Sequence, residues 1–593
     1  MSSIYGMVSK TESLPDAAHL AAMRAALPAQ SPSVNSDAEC HDALVSLGLC
    51  HSRRPLLTNE SVTIRLACVG TIPNYRDLRE ELISRGHTFA TPHDAETLVH
   101  LYEEHGPNLL SSVRGPFSFA LWDAQKKCLI LACDPTTQKP LYYYEDSHRL
   151  VFASTILALL AHPEVPQTSG LTDSFMLALA LHTGQMPATM TAFQGIRVLG
   201  VGQKLLWQAD QAESTKQQYW GMPALTPAEA EATIVDHEDR LRERLAESVR
   251  LHLTPDDLVG VLLSGGINSS LVAAMMQQQN RLLQTFTVRF GPKDTPETAR
   301  AAQVAKHLQA KHTVLTIKTP DLSQLLPHLV WQTAHPFLSP HDLLMGVLSE
   351  AIQGQIQVAL IGTGGAPLLG NPMSETKARP RLRRMWQVAS TLLQRTRARQ
   401  REEALRSSEP QALLLSSEVE ALLGVRPDFS LPLASPLGHT SSVIHLRLIR
   451  RLAPIIHVSA AYGIETQVPF ADAQVIEAAA LVPVNLKQRP GQPLYILHEL
   501  ARGLLPRALL DSPMVPERLP LDGWIRDQQT FVREVLLSER TRSRNLLNSE
   551  AVSTLIEGHM TNRHDASTAL LALMSLELWH RLFIDAPHVI PSD

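Results

Sequence analysis

Cysteines are few in this chain of 593 residues, and they all lie in its first quarter. Cys40, Cys50, Cys68, Cys128 and Cys133 form an odd set of five, and no two of them make a CxxC pair. We interpret them as small buried hydrophobic side chains in a reducing compartment. A zinc site or a disulfide is the alternative.

The sequence also lacks long apolar runs, a signal peptide and an excess of positive charge. No 18 consecutive residues are apolar, which argues against a membrane span. The opening MSSIYGMVSK has neither a basic nor an apolar segment, so we predict a cytoplasmic protein. Lys and Arg total 53 against 58 Asp and Glu, a balance that does not suggest a nucleic-acid or anionic-membrane binder.

Metal-binding spacing is absent as well. The 25 histidines contain no HExxH motif or similarly spaced pair. The cluster His328, His335 and His341 is typical of ordinary loop and helix surface. We therefore predict no metal site from the spacing of the histidines.

The predicted pattern of helices and strands differs between two successive regions of the chain. Residues 1–208 contain candidate strands at 61–72 and 140–153, a candidate hairpin at 113–132, and two amphipathic helices between 75 and 104. This pattern predicts an α+β domain.

A polar stretch and then an alternating pattern follow. Residues 209–235 are polar and small and are predicted to be a linker. From 236 to 593 helices and strands first alternate, which predicts an α/β domain with a parallel sheet. Beyond about residue 375 the pattern is mainly helical. Residues 377–406 carry ten Lys or Arg against two acids, which indicates either a solvated helical insertion or a patch for an acidic partner or a leader peptide.

The sharpest local feature is the segment VLLSGGINSS at 261–270, an apolar strand that runs through two glycines into a helix. Glycines let the backbone approach a ligand closely, and the free N–H groups of a helix start attract anions. The segment therefore predicts a phosphate or pyrophosphate loop, with close packing alone as the alternative. A second glycine loop, IGTGGAP at 361–367, follows another strand and favours the ligand site.

These residues resemble the asparagine synthetases and their relatives, which include β-lactam synthetases and lasso-peptide macrolactam cyclases. The family's pyrophosphate loop usually reads SGG-[LI]-D-SS, and this chain has SGGINSS. The resemblance covers nearly the whole chain, and the remaining motifs that carry it are IPNYRDLREELISRGHTFAT, DAETLVHLYEEHG, GPFSFALWD, DPTTQKPLYYY, FASTILALLAHPEVP and AAYGIETQVPFADAQVIEAAALVP.

The resemblance implies an N-terminal Ntn-hydrolase-type sandwich followed by an ATP-pyrophosphatase-type (PP-loop) α/β domain with a helical C-terminal part. Active relatives adenylate a carboxylate with Mg²⁺ and ATP, and an amine then displaces AMP to form an amide. That amine is ammonia from glutamine in ordinary synthetases, whereas in β-lactam synthetases and lasso cyclases it belongs to the substrate.

The glutaminase motifs are altered. The family's nucleophile is a cysteine at the mature N-terminus, and here the second residue is Ser2. The Asn-Gly-Glu segment that holds glutamine is replaced by Val69-Gly70-Thr71, although Asp94 is present. These changes predict that glutamine is not hydrolysed.

The synthetase motifs are altered too. The metal-binding aspartate of the first loop is Asn268, and that of the second loop aligns with Ala366. The family's charge-stabilising lysine aligns with Met514 or Val515, and no lysine follows Lys487. Arg518 or Arg526 could replace that lysine, and Asp342 or Glu375 could rebuild a metal site.

The remaining site positions match the family. Those expected to hold ATP are Leu263, Ser264, Gly265, Gly266, Asn268, Ser269, Ser270, Val288, Gly362 and Gly364. Glu465 aligns with a carboxylate that orients a reacting group in some relatives, and a helix-capping or salt-bridged acid is the alternative for it.

Two functions remain open at this point. One is an ATP-dependent ligase that joins a carboxylate and an amine within a peptide or an amino-acid derivative, with a precursor peptide or processing protein as partner. The other is a degenerate member that binds nucleotide or peptide, or scaffolds an active partner, without forming AMP. Asparagine synthesis from free ammonia is a third possibility.

Overall fold

The computed structural model describes residues 3–10, 17–27, 38–50, 52, 54–166, 191–211, 213–253, 258–279, 282–370, 452–489, 491–511 and 519–585. The basic segment 377–406 lies outside these residues, as do Ser2, Glu375, Met514, Val515 and Arg518.

The N-terminal part of the chain, from Ser3 to Gln218, is a sandwich of two antiparallel sheets and is called the N-terminal half below. Its strands are β1 (Ser3–Ser9), β2 (Ala38–His41), β3 (Val45–Cys50), β4 (Leu57–Thr58), β5 (Ile64–Gly70), β6 (Phe117–Asp123), β7 (Cys128–Cys133), β8 (Tyr142–Glu145), β9 (Arg149–Ala153), β10 (Ile196–Val198), β11 (Gln203–Gln208) and β12 (Thr215–Gln218). One sheet has the order β10-β8-β9-β1-β3-β2, and the other has the order β12-β11-β7-β6-β5-β4. The predicted hairpin is confirmed, because β6 pairs with β7 in antiparallel register from Asp123 opposite Cys128.

Alternation of side chains along the strands builds the layers of this half. In β1, Ile4 and Val8 face the core between the two sheets, whereas Tyr5 and Met7 face outward into a second core. Both faces of these strands are apolar, so each sheet is covered on its outer side by helices. The helices of this half are Ala17–Ala25, Tyr75–Ser84, Glu96–His105 and Ile156–Ala161, with a 3₁₀ turn at Gly106–Ser112.

The antiparallel sheet extends beyond residue 208, the boundary predicted from the sequence. Strand β12 pairs with β11 from Gln203 opposite Gln218 to Leu206 opposite Thr215. All four residues of β12 are exposed, so the strand lacks the apolar alternation by which a sequence pattern identifies a strand. Two helices follow, Pro227–Glu231 and Ile234–Leu251, and the second begins with a capping box at Thr233 and Asp236.

The second half contains a parallel sheet, as predicted. Its strands are β13 (Val259–Leu262), β14 (Gln284–Phe290), β15 (Lys311–Ile317), β16 (Val358–Ile361) and β17 (Glu465–Gln467), in the order β15-β14-β13-β16-β17. The helices that connect or flank these strands are Ile267–Gln277, Pro296–His307, Leu322–Thr333, Pro340–Ile352 and Gly365–Leu369.

The described part beyond residue 452 is mainly helical, as the pattern predicted. After a helix at 452–461, its helices are Ala473–Ala480, Val484–Lys487, Tyr495–Ala501, Arg507–Asp511, Leu521–Asp527, Gln529–Leu537, Glu539–Ser543, Ser549–Met560 and Ser567–His580, with a 3₁₀ turn at Pro469–Ala471 and a π-helix at Arg581–Asp585. Helix Ser567–His580 is buried along most of its length, so it lies within the core.

Polar and aromatic contacts join the two halves. The guanidinium of Arg114 lies 2.8 Å from Glu247 Oε1 and 3.2 Å from Asp472 Oδ2. Phe193 packs against Trp579 with ring centroids 5.0 Å apart. Outward-facing Tyr5 and Met7 share one apolar core with the second half, so the N-terminal sandwich and the parallel sheet are packed together.

Candidate functional site

The carboxyl ends of β13, β14 and β16 meet around a cavity of about 1240 Å³. Parallel strands present their carboxyl ends at the same edge of a sheet, which is the usual ligand position in this kind of fold. The backbone continues from β13 into Leu263, whose N–H donates to Phe286 O of β14 at 2.8 Å. Both glycine loops predicted from the sequence are therefore at this edge.

The first loop turns tightly into helix Ile267–Gln277. Gly265 has φ +72°, a conformation that a side chain disfavours, and a Cβ there would lie 2.8 Å from the backbone nitrogen of Ala301. The hydroxyls of Ser264 and Ser269 lie 3.1 Å apart, and Ser264 N–H donates to Ser269 Oγ at 3.2 Å. Hydrogen bonds between its own residues therefore stabilise the conformation of the loop.

The second loop packs directly against the first. A Cβ on Gly362 would lie 2.4 Å from the nitrogen of Ser269, and one on Gly365 would lie 2.6 Å from Asn268 Oδ1. Gly364 has φ +109° and precedes helix Gly365–Leu369. Glycine is required at 362 because its Cβ would meet backbone atoms of the first loop, whereas a Cβ on Gly365 would meet the side-chain amide of Asn268.

The structure brings most of the predicted nucleotide-binding residues to the cavity. Those that line it are Leu263, Ser264, Gly266, Asn268, Ser269, Val288 and Gly362. The other three, Gly265, Ser270 and Gly364, belong to the loops but are not among its lining residues. Gly265 and Gly364 have positive φ and turn the two loops, whereas Ser270 lies buried in the first turns of helix Ile267–Gln277.

Glu465 is not at this edge of the sheet. It starts β17 and pairs with Val358, the first residue of β16, whereas the cavity lies beyond the last residue of β16. Its Oε1 is 3.5 Å from Lys139 Nζ and accepts from Gln467 Nε2 at 3.0 Å. The positive charge of Lys139 lowers the pKa of Glu465. The salt-bridged alternative describes its observed contacts, and a role in orienting a reacting group remains a prediction.

The two positions that correspond to the family's Mg²⁺-binding aspartates offer few ligand atoms in this chain. Asn268 Oδ1 is buried without a hydrogen-bond partner, and Ala366 has no ligand atom. A hard dication prefers several oxygens with negative charge, so the ion does not fit these two positions. Asp342 belongs to a capping box, in which its Oδ2 accepts from the N–H and hydroxyl of Ser339 at 2.7 Å each, and burial raises its pKa to about 6. A role for it in rebuilding the site stays a prediction.

The sequence did not reveal the charged side chains that line the cavity. The charged or titratable side chains that line it are Glu297, Arg300, His341, His498, Glu499, Arg502, Arg507 and Asp511. They come from helices distant in sequence, and no local motif marks them. Burial lowers the pKa of Arg300, and burial together with the charge of Arg300 lowers that of His498.

The glutaminase-like region holds its surviving acid in internal contacts. Asp94 Oδ1 lies 2.8 Å from Arg54 Nη2, and Asp94 Oδ2 accepts from Ile72 N–H at 2.7 Å. Arg54 Nη1 also donates to Gly70 O at 2.6 Å. These bonds connect Arg54, Asp94 and the segment from Gly70 to Ile72.

The cysteines are free, and all except Cys40 are buried. Burial raises the pKa of Cys68 to about 12 and that of Cys128 to about 11, so neither is an activated nucleophile. Among the described residues, no helix combines the length and apolarity needed to cross a bilayer.

Family models match both parts of the chain. The family "Asparagine synthase" matches residues 240–581, and the family "Glutamine amidotransferase domain" matches residues 1–220. "Asparagine synthetase [glutamine-hydrolyzing] 1" of Bacillus subtilis is 25% identical over 567 residues, which cover 89% of this chain and 87% of that protein. "Asparagine synthetase [glutamine-hydrolyzing] 2" of the same organism is 33% identical over 333 residues, which cover 54% of this chain and 44% of that protein.

A solved structure, glutamine phosphoribosylpyrophosphate amidotransferase from B. subtilis with ADP and GMP, aligns at 12% identity and a TM-score of 0.28 over 54% of this chain and 91% of that one. That likeness is too remote to support an argument. The asparagine synthase match covers more than half of the chain, and its relatives form a family of ATP-dependent amidotransferases for which Mg²⁺ is typical. The chain therefore belongs to the asparagine synthase family.

Proposed function

We propose that this protein is an ATP-dependent, AMP-forming ligase that joins a carboxylate to an amine of its own substrate, without hydrolysing glutamine. The observation that carries this proposal is the contact between the two glycine loops, where the position of a Gly362 Cβ is only 2.4 Å from Ser269 N. A relic loop would be free to accept side chains, whereas this one keeps the close backbone approach that a polyphosphate requires.

The nucleotide is expected at the end of the cavity that lies against the carboxyl ends of β13, β14 and β16. Val288 and Leu263 would flank the adenosine, as the resemblance implies, and Ser264 with the start of helix Ile267–Gln277 would hold the phosphates. Helix N-termini favour anions because their first N–H groups have no partner within the helix.

The cavity has an alternative source of positive charge near this loop. Arg300, Arg502 and Arg507 line it. Arg300 Nη2 donates to Leu509 O, and Arg502 Nη1 lies 2.8 Å from Glu499 Oε2. Guanidinium groups bind phosphate oxygens through paired N–H donors. These arginines would offset the charge of the leaving pyrophosphate where the family's carboxylates are missing.

The substrate is expected to bring both reacting groups. The cavity of about 1240 Å³ exceeds the usual size of a small-ligand pocket, so it has room beside a nucleotide for a peptide segment. Asp94 is engaged by Arg54 and Ile72, which leaves it poorly placed to hold glutamine. A peptide carrying its own amine, as in lasso-peptide cyclisation, satisfies both observations.

A second candidate is a nucleotide-binding member that does not form AMP. The observation that favours it is the pair Asn268 and Ala366, because one neutral oxygen replaces two carboxylates. Losing one charge-stabilising group typically costs on the order of 10²–10³ in rate. Such a protein would act by holding a peptide or a partner protein.

The test is an assay of AMP and pyrophosphate with the purified full-length chain. Separate reactions contain ATP and Mg²⁺ with candidate precursor peptides, with glutamine and aspartate, or with aspartate and an ammonium salt. The ligase proposal expects AMP and pyrophosphate in equal amounts, and a dehydrated peptide, only with a peptide substrate. AMP from the glutamine or ammonium reactions, or ADP from any of them, would refute it. ATP binding without AMP in every reaction would favour the second candidate.

A further inference from the structure

A cluster of histidines and glutamates lies in the N-terminal half, around helix Glu96–His105. One ligand atom each from His87, His100 and Glu103 lies within 4.8 Å of the other two. His100 and Glu103 are three residues apart on the helix, and His87 is in the loop that follows helix Tyr75–Ser84. The spacing of the histidines along the sequence did not reveal this group, because the loop brings His87 back onto the helix.

The distances match those between the ligands of one metal ion. Glu103 Oε2 lies 2.9 Å from His100 Nδ1 and 3.4 Å from His87 Nδ1. A tetrahedral ion with bonds of about 2.1 Å separates its ligands by about 3.4 Å. The three donors therefore need only small movements to bind the same ion.

The remaining ring nitrogens also face carboxylates. His87 Nε2 lies 3.0 Å from Glu104 Oε1. His100 Nε2 is buried without a hydrogen-bond partner, and Glu96 Oε1 lies 3.8 Å from it. A neutral imidazole has one N–H donor and one lone pair, so it cannot donate to carboxylates on both sides. Each ring makes one hydrogen bond to a carboxylate, at His87 Nε2 and at His100 Nδ1, and its other nitrogen is not hydrogen-bonded to one. A cation bound at both Nδ1 atoms would leave each Nε2 as the N–H donor.

This arrangement is typical of the surroundings of a bound metal. Ligating histidines usually donate their second ring nitrogen to a carboxylate, and ligating carboxylates are themselves hydrogen-bonded. Glu104 occupies the first of these positions beside His87, whereas Glu96 lies 3.8 Å from His100 Nε2 and is not hydrogen-bonded to it. Asn59 Nδ2 occupies the second position by donating to Glu103 Oε1 at 2.9 Å.

The charges around the cluster also favour a cation. Glu60, Glu96, Glu103 and Glu104 surround the two rings, and the cation nearest to them in an ion pair is Arg85, 3.1 Å from Glu104. The side chains of His87 and Glu103 are 14% and 24% exposed, which provides a path for an ion, whereas that of His100 is 1% exposed.

We propose that His87, His100 and Glu103 bind a divalent transition-metal ion, with Zn²⁺ the best match to two imidazoles and a carboxylate. The fourth position would be taken by water. The ion would join the loop at His87, the helix Glu96–His105 and, through Asn59, the turn before β5. Its role would be structural and separate from the nucleotide cavity.

The test is calorimetric titration of Zn²⁺ into the full-length protein after removal of metal with EDTA, together with thermal unfolding. Wild type is expected to bind Zn²⁺ at this site and to gain thermal stability from it, because a ligand that binds the folded state stabilises it. Glu103→Gln keeps the size of the side chain, and His87→Gln removes an imidazole. Each of these two variants, tested separately, should bind one equivalent of Zn²⁺ fewer than wild type. Glu104→Gln, which changes only a surrounding carboxylate, should weaken binding about 10- to 100-fold.

Two further measurements keep the result unambiguous. His162→Gln alters a second group, His19, His162 and Glu164, and is the matched control that should leave this equivalent in place. X-ray absorption of the wild-type zinc complex should show two imidazoles and oxygen ligands, whatever the variants do to folding. No zinc binding by wild type, or an equivalent lost in His162→Gln but kept in Glu103→Gln, would overturn the proposal in favour of a hydrogen-bonded network without a metal.

Discussion

Alanine in place of Gly362 tests whether the two glycine loops form the nucleotide site. The new Cβ would lie 2.4 Å from Ser269 N and 2.7 Å from both Asn268 C and Ser269 Cα. Comfortable contact needs about 3.5 Å, so one loop must move by about 1 Å. All three neighbours are backbone atoms, and no side chain can rotate to relieve the contact.

Moving one loop in this way is expected to lower both the free energy of unfolding and the affinity for ATP. Overpacking of this kind costs about 1–3 kcal/mol in the free energy of unfolding. A shift of about 1 Å in groups that position a ligand can cost about 10²-fold, so we expect ATP affinity to fall by at least about tenfold. Calorimetric titration of ATP and urea denaturation of the same preparation measure both effects.

Gly523→Ala is the matched control, because a Cβ there meets no atom within 4 Å and the residue lies in helix Leu521–Asp527. It should leave ATP affinity unchanged and stability equal or higher, since alanine favours helices by up to about 1 kcal/mol. If Gly362→Ala lost stability but bound ATP like wild type, the nucleotide would not lie against these loops. The central step of the proposed function would then be wrong.

Three other predictions concern the domain contact, two half-buried histidines and the missing carboxylate. Arg114→Met should lower the free energy of unfolding in guanidinium by about 3–5 kcal/mol because it leaves Asp472 buried without its cation, and Asp472→Asn in the same chain should recover part of that loss. Burial lowers the pKa of His335 and His457 to about 4, so the unfolded chain takes up protons first and stability falls as pH drops from about 6.5 towards 4. His335→Gln should reduce this slope by up to about 1.4 kcal/mol per pH unit, and an unchanged slope from pH 7 to 5 would contradict the assignment. Asn268→Asp should bind ATP about tenfold more tightly with Mg²⁺ than in EDTA; equal affinities would show that a carboxylate there does not reach the ion.

The sequence was sufficient to predict the parts of the site that depend on local backbone. Ser264-Gly265-Gly266 and Gly362 follow apolar strands, and parallel strands bring their carboxyl ends together wherever they lie in the chain. The parallel sheet, the hairpin of β6 and β7 and the antiparallel sandwich followed from periodicity and from the family resemblance. Strand β12 did not, because an exposed polar edge strand has no apolar pattern.

The parts that depend on packing between distant segments were not predictable in the same way. Arg300, His498 and Asp511 reach the cavity from three helices that no motif connects. Glu465 was placed by alignment with a family motif, but its position along the sheet is set by the register between β16 and β17, which a motif does not specify. The His87 and His100 cluster likewise arises from how a loop folds back onto a helix.

The segment from β17 through helix Ala473–Ala480 touches both halves of the protein. Phe470 Cζ lies 3.0 Å from the position of a Cβ on Gly365 in the second glycine loop. Two residues later, Asp472 is bound by Arg114, and Gln138 Nε2 donates to Ala471 O at 3.5 Å. Arg114 and Gln138 belong to the N-terminal half.

The N-terminal half therefore supports the back of the second glycine loop, whether or not it performs chemistry of its own. An isolated synthetase part would have to do without this support and would present its second glycine loop with less packed behind it.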